Sequence, residues 1–119
     1  MKRQISGKEM EAQQTTKAQD DDELRQKQRV LKSVRVDGRQ LKKASKRLRN
    51  DREVVITAVQ NHGSALRWAS VQIRGDKEVA TNAVQNDGLA LRWASTELRG
   101  DKEVVIAAVQ NDGLALQWA

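Results

Sequence analysis

A 19-residue stretch decides the fold, because it occurs twice: residues 76–94 read DKEVATNAVQNDGLALRWA and residues 101–119 read DKEVVIAAVQNDGLALQWA. The two stretches differ at four of their 19 positions and begin 25 residues apart. The same pattern also runs through residues 51–75. Self-similarity at a fixed period of roughly 20 to 50 residues is the signature of a repeat protein. The chain is therefore predicted to consist of tandem copies of one small unit.

An atypical copy precedes the three regular ones. Counting 25 residues back from Gly63 and Leu66 leads to Gly38 and Leu41, whereas the position of Trp68 is taken by Lys43. We therefore divide the chain into a polar, flexible N-terminal segment and four copies. The segment spans residues 1–24, and the copies span residues 25–50 (atypical and basic), 51–75 and 76–100 (complete) and 101–119 (truncated).

Each copy is predicted to form two short helices. Asp51 is a suitable N-cap, because its carboxylate can accept hydrogen bonds from the free amides of the first turn. Apolar residues follow it at helical spacing over residues 54–59. Gly63 is expected to end this helix with a positive φ angle. The apolar stripe of the second predicted helix comprises Ala65, Leu66, Ala69 and Ile73.

Two helices in a period of 25 residues predict an all-α fold, namely a short α-solenoid of tandem two-helix repeats. A single helix pair cannot bury its apolar faces alone, whereas stacked copies bury a continuous core. The competing interpretation is a β-hairpin, since Asp87-Gly88 between apolar segments is typical of a hairpin turn. The abundance of Ala, Leu, Gln, Arg and Lys and the helical spacing of the stripe favour the solenoid.

The repeat pattern resembles that of a known family. Written across one copy, it reads D-x-E-V-V-x-x-A-V-Q-N-x-G-x-A-L-x-W-A-S-x-x-L-R. This pattern is similar to the tandem repeat catalogued as domain of unknown function 4116, and the similarity covers roughly residues 26–119. The resemblance implies a helical repeat array and implies no enzymatic activity.

Positive charge is concentrated in the first half of the chain. Residues 1–50 carry 15 basic and 7 acidic side chains, whereas residues 51–119 carry 7 basic and 9 acidic ones. Such asymmetry is typical of a basic interaction surface. The candidate phosphate-binding residues of the basic copy are Lys42, Lys43, Lys46, Arg47 and Arg49. The same charges also suit an N-terminal capping repeat whose outer face meets water, and residues 42–47 resemble a nuclear-localisation run.

Several recurring side chains could contact a periodic ligand, because repeat proteins can use one exposed position per repeat for recognition. The candidate partner-binding residues are Gln60, Gln85, Gln110, Arg67 and Arg92. Recent duplication copies every residue regardless of use, so these positions, and the recurring Arg49, Arg74 and Arg99, can equally be solvated. The three tryptophans are expected to anchor successive repeats. The alternative is a ladder on which a ligand stacks.

No catalytic, metal or cofactor site is predicted. Cysteine is absent, which excludes disulfides, cysteine nucleophiles and cysteine-based zinc sites. His62 has no serine, cysteine or carboxylate partner in register, as a catalytic base would need. The recurring Asp51, Asp76 and Asp101 are interpreted as helix caps about 10 Å apart, too distant to share a metal ion.

The function predicted from these features is a non-enzymatic interaction module that binds a protein or peptide partner. Nucleic-acid binding through the basic copy is the alternative. We expect an intracellular protein, cytoplasmic or nuclear and not membrane-bound, because the sequence shows neither a secretory signal nor an apolar span. The truncated last copy predicts an uncapped end through which the protein could self-associate.

Overall fold

The computed structural model describes the backbone of residues 7–119 and the side chains of residues 21–119. In this part of the chain every regular element is helical, and successive helices pack against each other. The predicted all-α repeat fold is therefore confirmed. Residues 1–6 of the predicted flexible segment lie outside the described part, and the backbone of residues 7–24 belongs to the first helix.

Eleven helical elements follow one another in the described residues. The α-helices are α1 (Gly7–Val36), α2 (Lys46–Arg49), α3 (Arg52–Asn61), α4 (Val71–Arg74), α5 (Lys77–Asn86), α6 (Thr96–Arg99) and α7 (Lys102–Asn111). The four 3₁₀-helices are η1 (Gly38–Lys43), η2 (Gly63–Trp68), η3 (Gly88–Trp93) and η4 (Gly113–Trp118); η1, η2 and η3 each follow a long α-helix and precede a one-turn α-helix, and η4 follows α7. A complete copy thus consists of a ten-residue α-helix, a six-residue 3₁₀-helix and a one-turn α-helix.

The ten-residue helices form because each has a good cap and a wide apolar face. Asp51 Oδ1 accepts hydrogen bonds from the amides of Glu53 (3.0 Å) and Val54 (3.3 Å), and Asp76 and Asp101 cap their helices in the same way. The predicted N-caps are therefore confirmed. The residues that α3 buries are Val54, Val55, Ala58 and Val59. These helices form one row in which α1 packs on α3, α3 on α5 and α5 on α7.

The second predicted helix is divided into two elements. Its stripe is buried as expected, but Ala69 and Ser70 are extended and separate η2 from α4. The Ser70 amide donates to the Arg49 carbonyl of the preceding copy at 2.9 Å, and the Ser70 hydroxyl caps α4 by accepting from the Ile73 amide at 3.2 Å. A continuous helix would forgo this bond between copies, because the Ser70 amide would instead bond within its own helix.

The expectation that Gly63 has a positive φ angle is wrong. No residue of the described part has a positive φ, and α3 ends at Asn61, with the following His62 in an extended conformation. Glycine is needed at position 63 because the backbone there touches the next copy: a Cβ atom would overlap the carbonyl oxygen of Ala83. Gly38 and Gly88 approach the following helix in the same manner.

The two ends of the array differ. At the N-terminal end, α1 occupies the place of the first helix of a copy and buries Leu31 and Val34. At the C-terminal end the apolar face is open, since Leu116 is 62% exposed whereas its equivalent Leu91 is fully buried. Leu114 is also exposed, and a Cβ at Gly113 would meet nothing within 4 Å. Self-association through this end stays a prediction.

Candidate interaction surface

An asparagine in each of the three regular copies joins it to the preceding copy. The Asn86 carboxamide oxygen accepts a hydrogen bond from the Gly63 amide at 2.6 Å, and its nitrogen donates to the Gln60 carbonyl at 3.1 Å. Asn61 and Asn111 make the equivalent pair of bonds. This clamp satisfies backbone groups that the end of the helix leaves free. The asparagine of the recurring Gln-Asn pair therefore has a structural role, which the sequence analysis did not identify.

The glutamine of the same pair is available for binding. The side chains of Gln60, Gln85 and Gln110 are exposed, as predicted, and make no hydrogen bond to the described residues. They lie at the ends of the ten-residue helices, whereas the candidates Arg67 and Arg92 lie on η2 and η3. The two candidate sets therefore belong to different rows of elements.

The tryptophans and two arginines alternate along the row of 3₁₀-helices. The Arg67 guanidinium lies 5.1 Å from the centre of the Trp68 ring and 5.0 Å from that of Trp93. Arg92 lies 4.4 Å from Trp93 and 5.7 Å from Trp118. Each guanidinium thus links the tryptophans of two copies through cation–π contacts. All three rings are half-buried and pack against the core. Arg67 and Arg92 therefore link neighbouring copies, and both are also exposed to solvent.

A ladder of ion pairs runs along the long helices. Lys27, Arg52 and Lys77 each reach the capping aspartate and the following glutamate of the next copy. Lys77 Nζ, for example, lies 3.0 Å from Glu103 and 3.2 Å from Asp101. These contacts raise the pKa of Lys77, and the hydrogen bond from Lys77 lowers the pKa of Asp101. The recurring aspartates are thus both helix caps and ion-pair partners.

The candidate phosphate-binding residues of the basic copy fall into three groups. Lys42, Lys43 and Lys46 are exposed, and none forms an ion pair with a side chain of residues 21–119. Arg47 is held in an ion pair with Glu23 on α1. Arg49 is half-buried and faces a groove rather than open solvent.

Two similar grooves lie along the edge formed by the one-turn helices. The first has a volume of about 260 Å³ and is lined by Lys46, Arg49, Trp68, Ala69, Ser70, Val71 and Arg74. The second, of about 280 Å³, is lined by Val71, Arg74, Trp93, Ala94, Ser95 and Thr96. We call them groove 1 and groove 2. Arg74 and Val71 line both, so the grooves adjoin.

The arginines of this edge have an unusual environment. In the described part of the chain, the buried Nε atoms of Arg49, Arg74 and Arg99 have no hydrogen-bond partner. None of the three guanidinium groups forms an ion pair with residues 21–119. The recurrence of these arginines was visible in the sequence. The position of Arg49 and Arg74 at the grooves was not, because it depends on how far each copy is displaced from the next.

The remaining titratable groups form only small local clusters. His62 Nδ1 lies 2.8 Å from the Asn61 carboxamide oxygen and 3.6 Å from Asp37. A bidentate contact from Arg39 lowers the pKa of Asp37 to about 2. Among residues 21–119, no three His, Asp or Glu side chains are grouped as a metal ion would require. No helix of the described chain has the length and apolarity needed to cross a membrane.

Comparison with known proteins identifies the repeat. A search of curated proteins and a search of solved structures each returned no match. The family model described as Domain of unknown function (DUF4116) matches residues 27–74 and again residues 76–119. The two matches are consecutive and together cover most of the chain, in agreement with the tandem copies of the fold. The chain therefore belongs to the DUF4116 family.

Proposed function

We propose that the protein is a non-enzymatic interaction module, a helical-repeat scaffold that binds a protein or peptide partner. The observation that carries this proposal is the recurrence of one groove. Arginine, tryptophan and a small hydroxylated residue line groove 1 as Arg49, Trp68 and Ser70, and line groove 2 as Arg74, Trp93 and Ser95. A partner that extends along the array would meet the same side chains at each step.

Some recurring polar residues link the copies and others do not, and this difference supports the proposal. The asparagine clamp, the ion-pair ladder and the cation–π contacts account for most of the recurring polar side chains as links between copies. The exposed glutamines and the groove arginines have no such role, although they recur equally well. These are the positions at which a partner can gain hydrogen bonds without breaking the array.

The proposal is tested by selection from a library of random dodecapeptides displayed on phage, with the protein immobilised. Selected peptides are then synthesised, and their binding in solution is measured by isothermal titration calorimetry. We expect saturable binding that weakens when Gln60, Gln85 and Gln110 are replaced by Ala or when the groove arginines are replaced by Gln. Failure to select any peptide, together with tight binding of nucleic acid, would contradict the proposal.

Nucleic-acid binding is the second candidate, and the three exposed lysines of the basic copy favour it. Lys42, Lys43 and Lys46 have no acidic partner in residues 21–119 and are free to contact phosphate. The test is fluorescence anisotropy of a labelled mixed-sequence RNA at about 50 and 200 mM salt, because phosphate contacts weaken steeply with salt. Binding that is lost at the higher salt and in a Lys42→Gln/Lys43→Gln/Lys46→Gln variant supports this candidate. Absence of binding at the lower salt removes it.

We also propose an intracellular location, in the cytoplasm or the nucleus. The basic run at residues 42–47 supports the nuclear alternative. Imaging of the full chain carrying a fluorescent tag tests the location, and the lysine variant provides the matched control. Loss of nuclear signal in the variant would assign the run as a localisation signal.

A further inference from the structure

We propose that grooves 1 and 2 bind an extended acidic peptide whose carboxylates recur at every third residue. This inference rests on the proposed function and specifies the chemistry of the partner. Three features of the grooves support it, namely arginines without an ion-pair partner, the spacing of these arginines and the apolar character of the walls.

The groove arginines lack the stacking and ion-pair contacts that several other arginines of the array make. Arg39 and Arg52 are bound to carboxylates, and Arg67 is stacked between two tryptophans. In contrast, Arg49 and Arg74 form no ion pair with residues 21–119, and their buried Nε atoms have no hydrogen-bond partner there. A guanidinium presents a planar fork of donors that matches a carboxylate. A carboxylate in each groove would give the guanidinium group the ion-pair partner that it lacks among residues 21–119.

The spacing of the arginines selects an extended peptide with a definite period. Arg49 and Arg74 occupy equivalent positions one copy apart, and stacked helices lie about 8–10 Å from axis to axis. A peptide in the extended polyproline II conformation advances about 3.1 Å per residue and, with three residues per turn, returns every third side chain to the same face. Three residues therefore span one copy, so acidic side chains at positions i and i+3 would reach Arg49 and Arg74 together.

The walls of the grooves favour a peptide over a polyphosphate chain. The half-buried ring of Trp68 lines groove 1, and the side chain of Val71, which is 74% exposed, lines both grooves. This apolar surface suits the uncharged residues of a peptide. Lys46 of the basic copy also lines groove 1 and adds positive charge to it.

The experiment uses two fluorescein-labelled dodecapeptides of equal composition, each with four Glu among Ser, Gly and Val. In one the Glu residues stand at every third position, and in the other they are consecutive. Anisotropy with the full chain at about 50 mM salt should show at least about tenfold tighter binding of the periodic peptide. Arg74→Gln should weaken that binding by about tenfold or more, because one charge-assisted pair accounts for a factor of this size.

Arg29→Gln is the matched control, since Arg29 is an exposed arginine on α1 whose loss changes the net charge equally. Circular dichroism melting shows whether each variant is folded, and Arg49→Gln provides a second groove variant. Equal affinity for the two peptides, or equal losses for Arg29→Gln and Arg74→Gln, would overturn the inference. RNA that binds more tightly than the periodic peptide and is released by Arg74→Gln would overturn it in favour of phosphate.

The same measurements separate this inference from the proposed function. A library-selected peptide that binds Arg74→Gln as tightly as the native protein overturns the acidic-peptide inference and leaves the interaction module standing. If neither the acidic peptides nor any library peptide binds, both proposals fail. Tight, periodic and Arg74-dependent binding supports both.

Discussion

The Asn86 carboxamide oxygen accepts a hydrogen bond from the amide of Gly63, which lies 23 residues earlier in the chain, at a distance of 2.6 Å. The contact joins the end of one ten-residue helix to the start of the preceding 3₁₀-helix. It places the glycine so close to the next copy that the carbonyl of Ala83 occupies the space a side chain would need. Asparagine and glycine thus act together at each junction between copies.

Removing the clamp should destabilise the protein. Asn86→Ala leaves the part-buried Gly63 amide without its acceptor, and an unsatisfied group of this kind costs about 1–3 kcal/mol. Chemical denaturation measures the change in the free energy of unfolding. The neighbouring Gln85→Ala is the control, because its exposed side chain should contribute less than about 0.5 kcal/mol. Equal losses of stability for the two substitutions would show that the clamp does not stabilise the protein.

Adding a methyl group at the junction should be tolerated at only one of two equivalent glycines. In Gly88→Ala the new Cβ overlaps the Ala108 carbonyl, and we expect a loss of about 1–3 kcal/mol, as for other overpacked sites. At Gly113 the Cβ meets open space, and Gly113→Ala should leave stability unchanged or raise it slightly by restricting the unfolded chain. Thermal melts of both variants, compared with the native protein, measure these changes in stability. A harmless Gly88→Ala would show that the copies are not packed this closely.

Tryptophan truncation should depend on position in the row. Trp93 has guanidinium groups at 5.0 and 4.4 Å, whereas Trp118 has one at 5.7 Å. We expect Trp93→Ala to cost about 3 kcal/mol, at the lower end of the range for large aromatic residues because the ring is only half-buried. Trp118→Ala should cost distinctly less. Equal losses on denaturation would mean that the cation–π contacts with both neighbours add nothing.

The ion-pair ladder predicts that the stability of the fold decreases at both low and high pH. The pKa of Asp101 is lowered from 3.8, so its contribution to stability is present above about pH 3.8 and is lost as the pH falls through the folded-state pKa. The pKa of Lys77 is raised from 10.5, so its contribution is present below that pH and is lost at higher pH.

Lys77→Met tests this dependence. Its Tm should lie below that of the native protein by a constant margin between about pH 5 and 9, and the margin should shrink on both sides. Lys102→Met is the matched control, because Lys102 forms no ion pair with residues 21–119. A margin that does not change with pH would assign the effect of Lys77 to its packing rather than to its charge.

Local chemistry could be predicted from the sequence, whereas contacts between copies could not. The capping role of Asp51 depends only on amides two and three residues away, and the stripe that contains Leu66 and Ile73 is buried as helical spacing indicates. The break at Ser70 depends on a carbonyl 21 residues earlier, and the need for Gly63 depends on a helix 20 residues later. Neither of these contacts between copies follows from the repeat period alone.

The same distinction applies to the candidate surface. The exposure of Gln60 was predictable because it lies opposite the apolar face of its own helix. Arg67 was predicted as a candidate partner-binding residue, and its stacking on a tryptophan of the next copy was not foreseen. The grooves around Arg74 are likewise formed by two copies together, so no single repeat sequence reveals them.

The most direct test of the proposed interaction surface is an NMR titration of the three tryptophan indole N–H signals with the periodic acidic peptide. Trp68 lines groove 1, Trp93 lines groove 2, and Trp118 lines neither. We predict saturable shifts of the Trp68 and Trp93 signals, an unmoved Trp118 signal, and loss of the shifts in Arg74→Gln. Shifts confined to Trp118, or an unchanged spectrum at peptide concentrations that saturate binding, would contradict binding in the grooves.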